Sequence, residues 1–303
     1  MNFWIIAVII STLFWWTASM LMKKASKQYE DNNVALILQY IAMATVALIL
    51  GWIYAVRQWT SYIPSLSLQG WLMVVIVWII WYIGIAFLFK AYDHLSGAVA
   101  LIIANLATFI MYFLNLALFP GQEAFGIGKF IIALVFFGII VQFLIEKKKR
   151  SLKQKKFFNK YALYPLVTAV CWSLFFVWNT YFIKSWMMNP IQVGMLTESM
   201  ILVVVVIRYL IQNGKNWWAR FQWACMGKQR LIFFGIWFFN VISAYLTYYG
   251  YQTNQANTVN VIRLFGIPCA AIMCWIFLKD KLSKKQIILL IIAFLAMIGF
   301  LFV

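Results

Sequence analysis

Acidic residues are scarce in this chain of 303 residues, which has seven Asp and Glu against 25 Lys and Arg. It also has only one histidine and four cysteines. Metal sites and acid–base catalysts usually need several such side chains close together, so this composition disfavours both. The sequence also lacks a glycine-rich phosphate-binding loop for ATP. We therefore expect no catalytic residue, no metal site, no cofactor and no enzymatic activity.

Hydrophobic residues, in contrast, make up 65% of the chain, and charged residues 11%, far below the roughly 25% of a soluble domain. They form runs of about twenty residues, the length a helix needs to cross a bilayer. The sequence therefore predicts an all-α polytopic membrane protein with ten transmembrane helices. The predicted helices span 3–22, 34–56, 70–92, 97–118, 126–145, 161–183, 191–211, 231–251, 256–278 and 284–303.

A basic stretch divides these helices into two sets of five. Residues 147–160 include eight Lys and Arg and no acidic residue. Such a cluster does not cross a bilayer and stays on the cytoplasmic side. The predicted organisation is a first five-helix repeat at 1–146, a basic cytoplasmic linker at 147–160 and a second five-helix repeat at 161–303.

The other basic residues also concentrate in alternate connections. The connections after helices 1, 3, 5, 7 and 9, with the adjoining helix ends, hold three, one, eight, five and four of the 25 Lys and Arg. By the positive-inside rule these connections are cytoplasmic, and both termini lie outside the cell membrane. The net charge of +18 then faces anionic lipids of the inner leaflet rather than nucleic acid.

The two halves share local patterns. A tryptophan in the first helix of each half, Trp15 and Trp172, precedes a lysine near that helix's end. A short polar break joins the third and fourth helices of each half, at 92–98 and 251–257. Because five is an odd number, the second half must enter the membrane from the opposite side. An inverted repeat of this kind places a substrate site between the halves, near the membrane midplane.

Several local motifs resemble those of a known family. Residues 278–283, LKDKLS, precede the last predicted helix, and 119–123, FPGQE, occupy the same place in the first half. With Trp15 in helix 1 and Pro268 in helix 9, they resemble the ten-helix EamA-like branch of the drug/metabolite transporter superfamily, whose Leu-Gly-Glu-x-Leu-Ser hairpin has glutamate where this chain has aspartate. The resemblance implies two inverted five-helix halves around a central cavity, and a secondary carrier that exports small metabolites.

Only two charged residues are predicted to lie deep in the membrane. Glu198 falls near the middle of helix 7 and Arg263 near the middle of helix 9, and these helices cross in the same direction. A charge at this depth costs roughly 2.5–3.5 kcal/mol on insertion scales and is usually functional. We interpret Arg263 as a ligand for an anionic group and Glu198 as a ligand for an amine or the carrier of a coupling proton. A structural ion pair is the alternative interpretation.

Polar and aromatic side chains complete the candidate site. Polar residues recur every three or four positions in helices 4, 8 and 9, so in each helix they share one face. Interhelical packing is the alternative role for such residues and for the deep aromatic rings. The candidate substrate-binding residues are Arg263, Glu198, Asn260, Asn257, Asn240, Asn105, Tyr112, Trp15, Trp172, Tyr82 and Tyr248.

The function that fits these features is secondary active transport. We expect an exporter of a small polar or zwitterionic metabolite such as an amino acid, working by alternating access, with Glu198 as the candidate for proton coupling. The alternative is an intramembrane enzyme that acts on a lipid-linked substrate. Small residues that allow close helix packing would also permit a homodimer, and they are Gly126, Gly128, Ala293, Ala296 and Gly299.

Overall fold

The computed structural model describes most of the chain. The described residues are 3–28, 32–58, 65–95, 97–120, 126–128, 130–132, 134–135, 137–139, 160–225, 230–264, 266–278, 284, 287–292 and 295. The predicted linker lies outside them except for Lys160, as do residues 121–123 and 279–283 of the two motifs and most of the tenth predicted helix.

The described residues form an all-helical fold. Its helices are α1 Phe3–Gln28, α2 Asn32–Gln58, α3 Leu68–His94, α4 Gly97–Ala104, α5 Leu106–Leu118, α6 Phe130–Ile139, α7 Leu163–Lys184, α8 Pro190–Gly194, α9 Met200–Asn213, α10 Trp217–Cys225, α11 Arg230–Thr253, α12 Ala256–Arg263, α13 Gly266–Leu278 and α14 at 287–292. A π-helical turn, Met195–Ser199, joins α8 to α9.

Five helical segments are long and apolar enough to cross a membrane. Within the described residues these are Phe3–Ala25, Leu68–His94, Val99–Leu118, Leu163–Lys184 and Pro190–Ala219. Two shorter apolar helices, Met43–Ile53 and Phe130–Ile139, add to them. The chain is a multi-pass membrane protein.

The fold exposes apolar side chains and buries polar ones. Leu231 is 79% exposed and Ile211 70%, whereas Asn240 is 1% exposed and Glu198 only 5%. A water-soluble protein shows the opposite tendency, because its exposed side chains must be hydrated. In a bilayer the lipid tails solvate the apolar surface, and the polar side chains face the interior of the bundle.

Helices α1 and α11 pack against each other along their lengths and run antiparallel. A Cβ atom on Gly250 would meet Val8 near the start of α1, and one on Gly235 would meet Leu21 near its end. Between these points, Ser11 Oγ donates a 2.7 Å hydrogen bond to a backbone carbonyl of α11, that of Ser243. The two glycines allow the close approach, as small residues do in membrane helix pairs.

Helices α3 and α7 form a second antiparallel pair. A Cβ on Gly70, near the start of α3, would meet Trp186 just after α7. At the other end, the rings of His94 and Tyr161 stack with centroids 3.9 Å apart. Gly84 lies midway, where its Cβ would meet Trp172.

Two predicted transmembrane helices are broken in the same way. In each, an eight-residue helix, α4 or α12, is followed by a break and then by a 13-residue helix, α5 or α13. At the first break the Asn105 side chain donates a 2.8 Å hydrogen bond to the Leu101 carbonyl, and the Thr108 amide bonds the Asn105 carbonyl only three residues back, at 3.0 Å. At the second, Pro268 has no N–H to offer the carbonyl of Leu264, four residues earlier.

The seventh predicted helix is also irregular. It consists of α8, the π-helical turn and α9. Asn189 caps it. The Asn189 side chain accepts a 2.9 Å hydrogen bond from the backbone N–H of Gln192, and the Gln192 side chain accepts one of 3.1 Å from the backbone N–H of Asn189. A further helix, α10, follows α9 and was not predicted.

Candidate functional site

Two neighbouring cavities lie at the centre of the bundle. Trp15, Phe176 and Arg263 line both. The carboxylate cavity is the one that also contacts Tyr40, Met43, Trp81, Phe175, Glu198, Asn240, Ser243, Ala244, Thr247 and Tyr248. The aromatic cavity is the one that also contacts Thr12, Trp16, Ala104, Asn105, Ala107, Thr108, Met111 and Trp172. Each has room for about one water molecule.

Glu198 reaches the carboxylate cavity from the π-helical turn. Such turns insert an extra residue into the helical repeat and often occur at functional sites. Its Oε1 accepts a hydrogen bond of 3.3 Å from the Tyr248 hydroxyl. Its buried Oε2 has no hydrogen-bond partner among the described residues. One carboxylate oxygen is therefore left to bind a proton or a ligand.

The Tyr248 hydroxyl, on α11, connects Glu198 to α7. It accepts a 3.3 Å hydrogen bond from the Asn179 amide of α7 and lies 3.4 Å from the Thr197 hydroxyl. Tyr248 is 1% exposed, so these bonds are shielded from solvent. These hydrogen bonds hold the Tyr248 ring of α11 against the π-helical turn.

Arg263 is the last residue of α12 and lies on the wall between the two cavities. Its guanidinium carbon is 4.3 Å from the centroid of the Phe176 ring, a cation–π geometry. It also donates a 3.3 Å hydrogen bond to the Tyr251 hydroxyl, which in turn donates one of 2.8 Å to Asn260. Although Arg263 and Glu198 line the same cavity, no nitrogen–oxygen distance between them is within 4.0 Å.

A polar stripe of α11 forms another wall of the carboxylate cavity. It consists of Asn240, Ser243 and Thr247, which share one face at spacings of three and four residues. Ser11 of α1 contacts both hydroxyls, at 3.2 Å for Ser243 and 2.6 Å for Thr247. Both amide atoms of Asn240 are buried, and neither has a partner within the described part of the chain.

Three tryptophans from three helices meet beside the cavities. The Trp172 centroid lies 5.4 Å from that of Trp15 and 5.7 Å from that of Trp81. The Trp81 indole N–H donates a hydrogen bond to the Tyr40 hydroxyl. Aromatic faces of this kind can contact an apolar or cationic group of a ligand.

Seven of the predicted substrate-binding residues line the cavities. They are Arg263, Glu198, Asn240, Asn105, Trp15, Trp172 and Tyr248. The other four lie elsewhere. Asn257 accepts a 3.2 Å hydrogen bond from Asn115, Asn260 bonds Tyr251, and Tyr112 donates one of 3.4 Å to the Gly126 carbonyl. Tyr82 packs against the core.

Some lining residues were not predicted, notably Phe176 and the pair Trp81 and Tyr40. Trp81 is the neighbour of Tyr82, which was chosen instead. Helix α3 is apolar on all sides, so the sequence contains no signal for which face turns inward. For Phe176, the spacing of four residues from Trp172 on one helix face is a signal that could have been used.

The described residues contain no cluster of three or more His, Cys, Asp or Glu side chains that could bind a metal ion. Among the cysteines, Cys171 and Cys269 are free thiols. The site presents instead one carboxylate, one guanidinium, amides, hydroxyls and aromatic rings. These groups can bind a small charged or polar molecule.

Comparisons with known proteins agree with this architecture. Residues 159–302 match the model of the EamA-like transporter family. These residues form an EamA-like transporter domain. The predicted resemblance is thereby confirmed for residues 159–302, and this match indicates a membrane transporter of the drug/metabolite transporter type. The EamA-like domain contributes Glu198, Tyr248 and Arg263, while Trp15 comes from the half that precedes it.

The fold also has a counterpart among solved structures. One crystal structure superposes with a TM-score of 0.67 at 16% sequence identity, covering 97% of this chain and 94% of the other. At that identity the likeness concerns the fold alone. A comparison with curated proteins gives no match.

Proposed function

We propose that this EamA-like protein is a secondary active transporter that exports a small polar or zwitterionic metabolite, such as an amino acid. The observation that carries the proposal is that Glu198 and Arg263 line one buried cavity without pairing. A buried charge without a counterion is costly. Each charge is therefore available to a ligand, and opposite charges in one cavity suit a molecule with both an anionic and a cationic group.

Alternating access requires two halves that rock around a central site, and the helix packing supports an inverted repeat. Helix α1 runs parallel to α3, since Lys23 near its end bonds Tyr92 and Leu95 at the end of α3. Helix α7 is antiparallel to α3. The first helices of the two halves thus run in opposite directions, as an inverted repeat requires.

The pairing of helices supports the same symmetry. The first and third helices are α1 and α3 in the first half and α7 and α11 in the second. Each of the two pairs, α1–α11 and α7–α3, joins the first helix of one half to the third helix of the other, so the pairs are equivalent under exchange of the halves. The breaks before α5 and α13 also occupy corresponding positions. In inverted-repeat transporters, discontinuous helices at corresponding positions adjoin the substrate site. Asn105 and Arg263, next to the two breaks, both line the aromatic cavity.

In this proposal Arg263 binds the carboxylate or another anionic group of the cargo. Its planar guanidinium offers paired donors that match a carboxylate. Glu198 carries the coupling proton or contacts the cargo amine. Both cavities are too small for an amino acid, so in this proposal the structure represents a closed state and the halves must separate to admit cargo.

The cargo can be identified by a thermal-shift screen of the purified protein against amino acids, nucleosides, organic acids and cationic drugs. A molecule that binds the folded state raises the melting temperature by mass action. We expect zwitterions to raise it in the wild type and not in Arg263→Ala. Stabilisation by nucleosides or cationic drugs alone would contradict the proposed cargo class.

The proposed topology places residues 147–160 in the cytoplasm and both termini outside the cell membrane. A single cysteine introduced into this linker tests it. We expect an impermeant thiol reagent to label that cysteine only after the cells are opened. Labelling in intact cells would reverse the orientation.

A further inference from the structure

We infer that the carboxylate cavity binds a dehydrated sodium ion, with Glu198 Oε2 and Asn240 Oδ1 as two of its ligands. The inference rests on the proposed transport function, and it assigns to sodium the driving force that a proton on Glu198 would otherwise supply.

The first argument is the charge of Glu198. Its carboxylate is 5% exposed, its one hydrogen bond comes from Tyr248, and its Oε2 has no partner among the described residues. Arg263, which lines the same cavity, does not neutralise it, because its guanidinium contacts Phe176 and Tyr251 instead. A buried carboxylate in this position requires either a proton or a bound cation.

The second argument distinguishes the metal ion from the proton. A proton on Oε2 needs neither space nor a second acceptor. The cavity provides both: it has room for a body the size of a water molecule, and the Asn240 amide in its wall is 1% exposed with no partner in the described residues. Hard cations prefer oxygen ligands, and the hydroxyls of Ser243 and Thr247 add two more on the same wall.

The third argument is exclusion of larger ligands. An amino acid does not fit the cavity in this closed state, whereas a bare sodium ion does. Sodium would therefore occupy the site while the cargo is absent or has yet to bind. Its charge would offset that of Glu198 and leave Arg263 free for an anionic group of the cargo. Transporters with broken helices bind coupling sodium ions near such breaks.

Protons should compete with sodium at this site. The titratable and charged groups that face Glu198 across the cavity are Tyr40 from α2, Tyr248 from α11 and Arg263 from α12. Glu198 is the acidic residue among them, so lowering the pH should raise the sodium concentration needed for half-saturation.

The test is the melting temperature of the purified protein in NaCl, compared with KCl and N-methyl-D-glucamine chloride at equal ionic strength. We expect a saturable rise with sodium alone, because an ion that binds only the folded state stabilises it. Asn240→Leu removes the oxygen and should raise the half-saturating sodium concentration at least about tenfold. Asn240→Asp keeps an oxygen and should retain the response, and Glu198→Gln should abolish it.

The matched control is Asn115→Leu, which changes another buried asparagine with an unpartnered oxygen outside both cavities. Its sodium response should equal that of the wild type. Equal melting temperatures of the wild type in the three salts, or an unchanged response in Asn240→Leu, would overturn the assignment. Should Asn240→Leu fail to fold, binding of radioactive sodium to the wild type and to Asn240→Asp replaces it. We expect both proteins to bind sodium, and less of it at low pH; no saturable binding would overturn the assignment.

The two proposals fail in distinguishable ways. If metabolite transport in proteoliposomes is equal with and without sodium, the sodium proposal is refuted and the transport function stands. If the protein binds sodium saturably but transports no metabolite, the sodium site stands and the transport function is refuted.

Discussion

Arg263 stacks on Phe176 at 4.3 Å, although Glu198 lines the same cavity. The aromatic face stabilises the guanidinium without cancelling its charge, so Arg263 keeps its attraction for an anion. An ion pair would have satisfied both residues and left little for a ligand. The arrangement therefore favours a binding site over a structural ion pair.

The stacking contact can be measured by a double-mutant cycle. Phe176→Leu and Arg263→Gln each remove one partner, and the coupling energy isolates their interaction. We expect a coupling of about 0.5–2 kcal/mol in the free energy of unfolding, the range for cation–π pairs. Strictly additive effects would mean that the ring does not stabilise Arg263.

Glu198→Gln should remove the pH dependence of transport. The amide matches the carboxylate in size but neither binds nor releases a proton in the physiological range. In wild-type proteoliposomes, we expect an imposed pH gradient to change the flux, and in the variant we expect no change. A variant with the wild-type pH profile would exclude Glu198 from proton coupling.

Gly266→Ala should destabilise the protein. The Gly266 backbone lies against the indole of Trp16, and an added Cβ would overlap that ring and approach Thr12. Trp16 is 2% exposed and cannot move aside, so overpacking should cost about 1–3 kcal/mol. Gly138→Ala is the matched control, because its Cβ would meet nothing within 4 Å. We expect a lower melting temperature for the first variant only; equal values would refute the contact.

Lys23→Met should weaken the junction between α1 and the end of α3. The ammonium of Lys23 is buried and bonds the carbonyl of Tyr92, in the last turn of α3, and that of Leu95, just after it. Its removal takes a hydrogen bond from each buried carbonyl, at a cost of about 1–3 kcal/mol. Lys24→Met, at an exposed neighbour, should leave the melting temperature unchanged. A similar loss in both variants would show that general charge, not this contact, is responsible.

Much of the fold could be predicted because apolar runs of about twenty residues report directly on membrane helices. The α11 stripe of Asn240, Ser243 and Thr247 was also predictable, since polar side chains at helical spacing share a face. The same reasoning brought Glu198 and Arg263 to one level, and the structure places both on one cavity.

The break at Asn105 and the π-helical turn were not predictable in the same way. Asn105 bonds the Leu101 carbonyl through its side chain, a contact that the residue type alone does not predict. The extra residue at Met195–Ser199 changes the helix face on which each later side chain of this helix lies, compared with a regular α-helix. Asn257 and Tyr112 were placed in the site by periodicity, but tertiary partners on neighbouring elements engage them.

The most direct test of the central claim is flux through Arg263→Ala in proteoliposomes, using the zwitterion that gives the largest thermal shift with the wild type. The variant should still insert and purify, because it loses a cation–π contact of only about 0.5–2 kcal/mol and one hydrogen bond to Tyr251, and no ion pair with Glu198. We predict that its transport is abolished while the wild type accumulates the substrate. Unchanged flux in Arg263→Ala would contradict the assignment of the two neighbouring cavities as the substrate site.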